Sequence, residues 1–238
     1  EVKEGEIVGF LGRNGAGKST TMNMITGFIE PTEGDIIVGG YDIDVNPKKV
    51  KAQIGYMPEG TPLYMELTVK EFVSYMAELR RIPKAERKQA VKEAIERTGL
   101  DLVKNNLVKN LSRGYKQRVS MAGAIVGNPK ILILDEPTVG LDPKQVIEIR
   151  ELIKSFGKDH TVLVSSHILS EVSQICEKVI IIDKGEIIAV DTPENLNEQT
   201  KEHMVLNVTV DDMNNKFDTV KEKIQSIEEV NLVETLES

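Results

Sequence analysis

Short apolar runs separated by stretches of helical period restrict this chain's fold more than any other feature. Ile131-Leu132-Ile133-Leu134 is apolar at every position. As a strand it must be covered on both faces, which is the habit of parallel sheets flanked by helices. Glu6–Phe10, Asp35–Val38, Gln53–Met57, Thr161–Ser165, Val179–Asp183 and Ile187–Val190 read as further strands. Lys18–Thr26, Ser112–Val126, Pro143–Phe156 and Leu169–Cys176 read as the helices between them. Gly39-Gly40 turns the chain after one strand, and Lys184-Gly185 joins the last two as a hairpin. The alternation predicts an α/β fold with a mostly parallel sheet. It is interrupted once. Thr68 and Glu71 form a capping-box pattern ahead of Phe72, Val73, Met76 and Leu79. Pro83 opens a second helix with Val91, Ala94 and Ile95 inward, and Gly99 stops it. A helical subdomain over about 65–125 is therefore expected inside the α/β frame.

Composition removes several alternatives. Thirty Lys and Arg against 38 Asp and Glu leave a formal charge of −8. That balance opposes a nucleic-acid sleeve, which needs a basic face. No apolar run approaches the roughly 20 residues of a membrane span. The one cysteine, Cys176, excludes an internal disulfide and reads as a helix-face residue. Beyond Asn195 a polar link leads to Met204–Val210 and Val230–Val233 as strands around an amphipathic Phe217–Ile227. These suggest a partial βαβ accessory domain over 196–238, after a main domain over 1–195. The text starts at full stride on Glu1, and we expect a segment of a longer polypeptide.

Gly12-Arg13-Asn14-Gly15-Ala16-Gly17-Lys18-Ser19 fits the pattern G-x-x-x-x-G-K-[ST], with a strand before and a helix after. Glycines let the backbone turn its N–H groups toward phosphate oxygens, and the helix N-terminus adds its positive dipole end. Lys18 is placed to reach the outer phosphates and the Ser19 hydroxyl to bind Mg²⁺. Gly12, Asn14, Gly15, Gly17, Lys18, Ser19 and Thr20 are thus the candidate nucleotide contacts. The apolar strand ending at Leu134 delivers Asp135 and Glu136 to the sheet edge where ligands of such folds sit. Asp135 suits a metal ligand, directly or through water, and Glu136 a general base for an attacking water.

With these motifs the chain resembles the nucleotide-binding subunit of an ABC transporter over about 1–195. Leu111-Ser112-Arg113-Gly114-Tyr115 resembles the family signature, usually Leu-Ser-Gly-Gly-Gln, with Arg113 and Tyr115 as departures. Val139-Gly140-Leu141-Asp142 resembles the D-loop, and His167 the switch histidine. The resemblance implies a P-loop NTPase of the RecA-like kind, an ATPase using ATP and Mg²⁺. It further implies a head-to-tail dimer, of identical or paralogous copies. Each ATP then lies between one copy's Gly-rich loop and the other's Ser112, Gly114 and Asp142, while His167 meets the γ-phosphate. An integral-membrane permease would be the partner, at the cytoplasmic face of the membrane, with no role for nucleic acid. His160 and His203 lack such company and are expected at the surface.

Glu59, in Tyr56-Met57-Pro58-Glu59, stands where the family normally has a Gln that ligates Mg²⁺; a carboxylate can also bind that cation. Glu there, with a signature reading Ser, basic, Gly, Tyr, resembles subfamilies that serve ABC-2-type exporters. The family's adenine-stacking aromatic precedes the loop by more residues than the eleven present here, so weak adenine binding is expected of this segment alone. Tyr64, Met65, Phe72 and Tyr75 are candidate docking residues for the permease, with Phe72 and Tyr75 equally readable as the insertion's own core. A soluble ABC ATPase of translation or repair, and an ATP-dependent clamp without turnover, are the competing readings.

Overall fold

The computed structural model describes residues 1–196, 221 and 223–225. The chain divides into two compact units, Glu1–Glu198 and Gln199–Ser238. The elements expected at 204–210, 217–227 and 230–233, and His203, lie outside the described residues, apart from the few helical positions at 221 and 223–225.

In the first unit, strands β1 (Ile7–Leu11), β4 (Ile54–Met57), β5 (Ile131–Leu134), β6 (Thr161–Ser166), β7 (Lys178–Asp183) and β8 (Glu186–Asp191) form one sheet in the order β4-β5-β6-β1-β7-β8. All neighbours are parallel except the terminal β7–β8 hairpin. The two-residue strands β2 (Ile37–Val38) and β3 (Tyr41–Asp42) form a separate small hairpin across Gly39-Gly40. The strand expected over 35–38 is therefore only its last two residues.

The apolar run of β5 is buried as its sequence demands. Leu132 and Leu134 enter one core, with Phe72, Met121, Ile153 and Phe156. Ile133 enters the other, with Phe10, Met22, Val50 and Ile182. Each such side chain contributes about 1.5–3 kcal/mol relative to exposure. The second core is covered by α1 (Lys18–Ile25) and by α2 (Pro47–Gln53), a helix the sequence reading did not anticipate. Its only buried residue is Val50, so it carries no apolar face to read.

The insertion consists of α3 (Val69–Leu79) and α4 (Lys84–Arg97), leading into α5 (Arg113–Ile125). The Thr68–Glu71 capping box is formed in both directions. Val91, Ala94 and Ile95 are buried, and Gly99 closes α4 at φ +67°. α6 (Pro143–Phe156) matches its expected bounds. α7 is shorter than expected, Leu169–Val172, because the chain turns out at 173–175 to enter β7. Cys176 is thus not on a helix. It is buried, its Sγ would lie 3.2 Å from a Cβ at Gly9 of β1, and burial pushes its thiol up to about 12. His160 is a second correction. It is 2% exposed, stacked edge-on against Phe156, with Nδ1–H donating to the Pro129 carbonyl at 2.6 Å. No helix among the described residues is long and apolar enough to cross a membrane.

Candidate active site

Four neighbouring parallel strands end at one edge, and that fact assembles the site. β4 leads to Glu59, β5 to Asp135 and Glu136, β6 to His167, and β1 to the Gly-rich loop. The loop wraps a cavity of about 290 Å³ lined by Asn14, Gly15, Gly17, Lys18, Ser19, Thr20, Glu59 and Glu136, together with Arg13. Gly12 does not line it. Its requirement is steric, since a Cβ there would sit 2.5 Å from the Ile182 carbonyl oxygen of β7. Gly17, at φ +108°, sets the turn from loop into α1.

The charged groups pair at the cavity floor. Lys18 Nζ donates to the Gly12 carbonyl at 2.7 Å and lies 3.3 Å from Glu136 Oε1. Both side chains are nearly buried, at 6% and 7% exposure. Each offsets the other's desolvation, and removing one would strand the other's charge. Glu136 Oε2 accepts a hydrogen bond from His167 Nδ1–H at 2.9 Å. A carboxylate held between an ammonium and an imidazole has its direction fixed by both. A water beside it would meet a proton acceptor whose aim is set in advance.

Glu136 has φ +46°, a left-handed conformation that costs a non-glycine residue about 1–3 kcal/mol. Ser165 holds it there. The Ser165 hydroxyl accepts the Glu136 N–H at 2.8 Å and donates to Asp135 Oδ1. Ser165 is wholly buried, and the sequence reading missed it because a serine at a strand end carries no signal of its own. Asp135 is 2% exposed and lies behind the cavity, not on its wall. Gln117 of α5 was missed too. Its Nε2–H donates to the Pro137 carbonyl at 2.6 Å and so ties α5 to the turn after Glu136.

The remaining candidates lie elsewhere on the chain. Ser112, Gly114 and Asp142 line a second cavity, of about 370 Å³, which shares no residue with the first. Ser112 caps α5, accepting the Tyr115 N–H, and Asp142 caps α6, accepting the Gln145 N–H at 3.0 Å. Two helix N-termini therefore open on this cavity, and neither first turn carries an acid. Arg113 lies over Gly140, where any Cβ would collide with its guanidinium. On the insertion, Tyr64 and Tyr75 meet edge-on at 5.2 Å and, with Met65, are partly exposed. Phe72 is 2% exposed and belongs to the core, so it offers no docking surface.

The fold and the loop geometry define the class, an α/β P-loop NTPase. A family model described as ABC transporter matches residues 1–139. The chain is 36% identical over 217 residues to the linearmycin resistance ATP-binding protein LnrL of Bacillus subtilis, covering 91% of this chain and 70% of LnrL. It is 40% identical over 205 residues to the bacitracin transport ATP-binding protein BcrA of Bacillus licheniformis, covering 85% of this chain and 66% of BcrA. Against ABC transporter A family member 1 of Dictyostelium discoideum it spans 21% of the relative's length. The dimeric ATP-binding cassette MJ0796, bound to ADP and Pi after hydrolysis, superposes with a TM-score of 0.72 at 29% identity, covering 81% of this chain and 88% of that one. The chain belongs to the ABC transporter family and carries its ATP-binding ATPase domain.

Proposed function

We propose that this chain is the energising subunit of a membrane transporter: an Mg-ATPase that pairs head to tail on ATP and drives an integral-membrane permease, as an exporter. The observation that carries the proposal is the separation of the two cavities. The loop that would hold phosphates and the signature residues share no wall. In this reading Ser112, Gly114 and Asp142 serve a nucleotide bound by another copy. Two helix N-termini open on that second cavity, and their N–H groups and dipoles suit a γ-phosphate.

In this reading the Gly-rich loop, with Asn14, Gly15, Gly17, Lys18 and Thr20, holds the phosphates of ATP. Mg²⁺ fits the donors nearby, which are oxygens only: the Ser19 hydroxyl, the Glu59 carboxylate, and Asp135 behind them through water. Among the described residues no three His, Cys, Asp or Glu are grouped to hold a metal alone. That suits a cation that completes its shell with water and phosphate oxygens. When bound, Mg²⁺ supplies neutralisation of phosphate charge. Glu136 accepts the proton of the attacking water, and His167 steadies the γ-phosphate while orienting Glu136. Closure on ATP and parting after hydrolysis make a two-state switch. Tyr64, Met65 and Tyr75 form the surface offered to the permease, at the cytoplasmic face of the membrane. The names of LnrL and BcrA, for resistance and for transport, support a transport role, and Glu59 beside the Ser112-Arg113-Gly114-Tyr115 signature supports export.

The test uses the full-length protein. Glu136→Gln should lower turnover about 10²–10⁴-fold and trap an ATP-bound dimer on gel filtration, and detergent extraction should recover a multi-span protein with it. Unchanged turnover removes Glu136 from its role. Recovery of ribosomes or DNA in place of a membrane protein contradicts the transporter reading.

A further inference from the structure

Away from both cavities, one carboxylate joins the two loops that carry Glu136 and His167. Glu171 lies in α7, just past the His167 loop. Its Oε2 accepts the Thr138 hydroxyl at 2.6 Å and lies 3.5 Å from the Ser166 hydroxyl. Thr138 belongs to the tight turn after Glu136, in which the Val139 N–H donates to the Glu136 carbonyl at 3.2 Å. Ser166 immediately precedes His167, and its hydroxyl accepts the Ile168 N–H at 3.1 Å. Thr138 and Ser166 are both buried. The short bond to an ionised acceptor is of the stronger, charge-assisted kind.

Glu171 lines neither cavity. Its carboxylate meets these two hydroxyls, one in the turn after Glu136 and one at the end of β6 just before His167. The turn it grips begins at a residue in the left-handed region, a conformation that needs outside support. Ser165 supplies that support at the amide of Glu136 and Gln117 at the Pro137 carbonyl. Thr138, the third residue of the turn, is held by Glu171. The 2.9 Å approach of His167 to Glu136 depends on the two loops keeping their spacing.

We infer that Glu171 is a positioning residue for ATP hydrolysis. By holding Thr138 against the His167 loop, it fixes the aim of Glu136 and its distance from His167. It touches neither nucleotide nor reacting atoms, and the inference rests on the roles given above to Glu136 and His167. Displacements of about 1 Å at a general base can cost on the order of 10²-fold in rate.

Steady-state Mg-ATPase kinetics of the full-length protein test this, with ATP affinity and melting temperature measured alongside. Glu171→Ala should lower kcat about tenfold or more while KM for ATP stays within about twofold. Glu171→Gln keeps an oxygen that accepts the Thr138 hydroxyl and should restore kcat to within about threefold of wild type. Thr138→Val should resemble Glu171→Ala, and the double variant should be no worse than either single one. Wild-type kcat in Glu171→Ala overturns the inference. So does a Gln variant as impaired as the Ala variant, or a loss of kcat that merely follows a lowered melting temperature. Glu136→Gln is the control: if it turns over like wild type, the assignment of Glu136 fails and the inference falls with it, a result distinct from failure at Glu171 alone.

Discussion

The phosphate-loop cavity and the signature cavity are built from different materials. The first rests on nearly buried charges that partner one another: Lys18 with Glu136, Glu136 with His167, and Asp135 with Ser165 behind them. Its residues come from the ends of adjacent parallel strands, so the sheet sets their spacing. The second rests on helix starts, with Ser112 and Asp142 exposed and bonded only within their own first turns. Buried paired charge is suited to chemistry, where a fixed field matters and water must be controlled. Exposed helix ends are suited to recognition of an anion brought by another molecule. Under the proposed function, that difference makes the two cavities unlike halves of one shared site and not two sites.

The sharpest contrast between the halves is steric. Gly12→Ala would place a Cβ 2.5 Å from a backbone carbonyl of β7, which cannot yield without moving the sheet. ATP binding, followed by a fluorescent analogue, should be abolished. Gly114→Ala would meet Gln145 side-chain atoms first, at 2.9–3.2 Å, and that side chain can swing away. ATP binding by the isolated copy should persist, and only ATP-driven pairing and turnover should fall, by about tenfold. Equal loss of ATP binding in both variants would break the distinction.

A smaller effect is expected at Glu59, which lines the first cavity. Glu59→Gln keeps an oxygen ligand for Mg²⁺, so turnover should stay within about tenfold of wild type. Loss of Mg²⁺-dependent ATP binding would make the carboxylate indispensable.

The smallest effect concerns the scaffold beneath both halves. Burial, with a lesser contribution from Arg97, holds the His160 imidazole below its ordinary range, against the opposing Pro129 hydrogen bond. The unfolded chain takes up this proton near pH 6.5 and the folded chain only at lower pH. The stability linked to neutral His160 is therefore intact above about pH 6.5 and declines as pH falls through the window below it. The melting temperature of wild type should drop there more than that of His160→Phe. Parallel pH profiles would contradict the assignment.

Much of this was legible in the chain. The β5 run, the Gly-rich loop and the Thr68–Glu71 box each carry their structure within a few residues, through period, conformational freedom or a local hydrogen bond. The site residues that sequence could name are those whose chemistry is unusual where they stand, such as Asp135-Glu136 after four apolar residues. What stayed hidden depends on partners distant in sequence. Ser165 acquires its role only because β6 lies beside β5. His160 is buried by Phe156 and Pro129, the latter 31 residues away. α2 has too few buried positions to show a period, and α7 stops early because β7 must be entered.

The central claim is that each working site takes its two halves from two copies, and mixing defective copies tests it most directly. Lys18→Ala spoils one half and Ser112→Arg the other, so neither variant alone can assemble a whole site. In a mixed head-to-tail pair, one of the two sites regains an intact phosphate loop and an intact signature. Turnover should reappear on mixing, at about a quarter of the wild-type rate, because about half the pairs are mixed and one site in each is whole. Continued inactivity of the mixture, or full activity of Ser112→Arg by itself, would contradict the account.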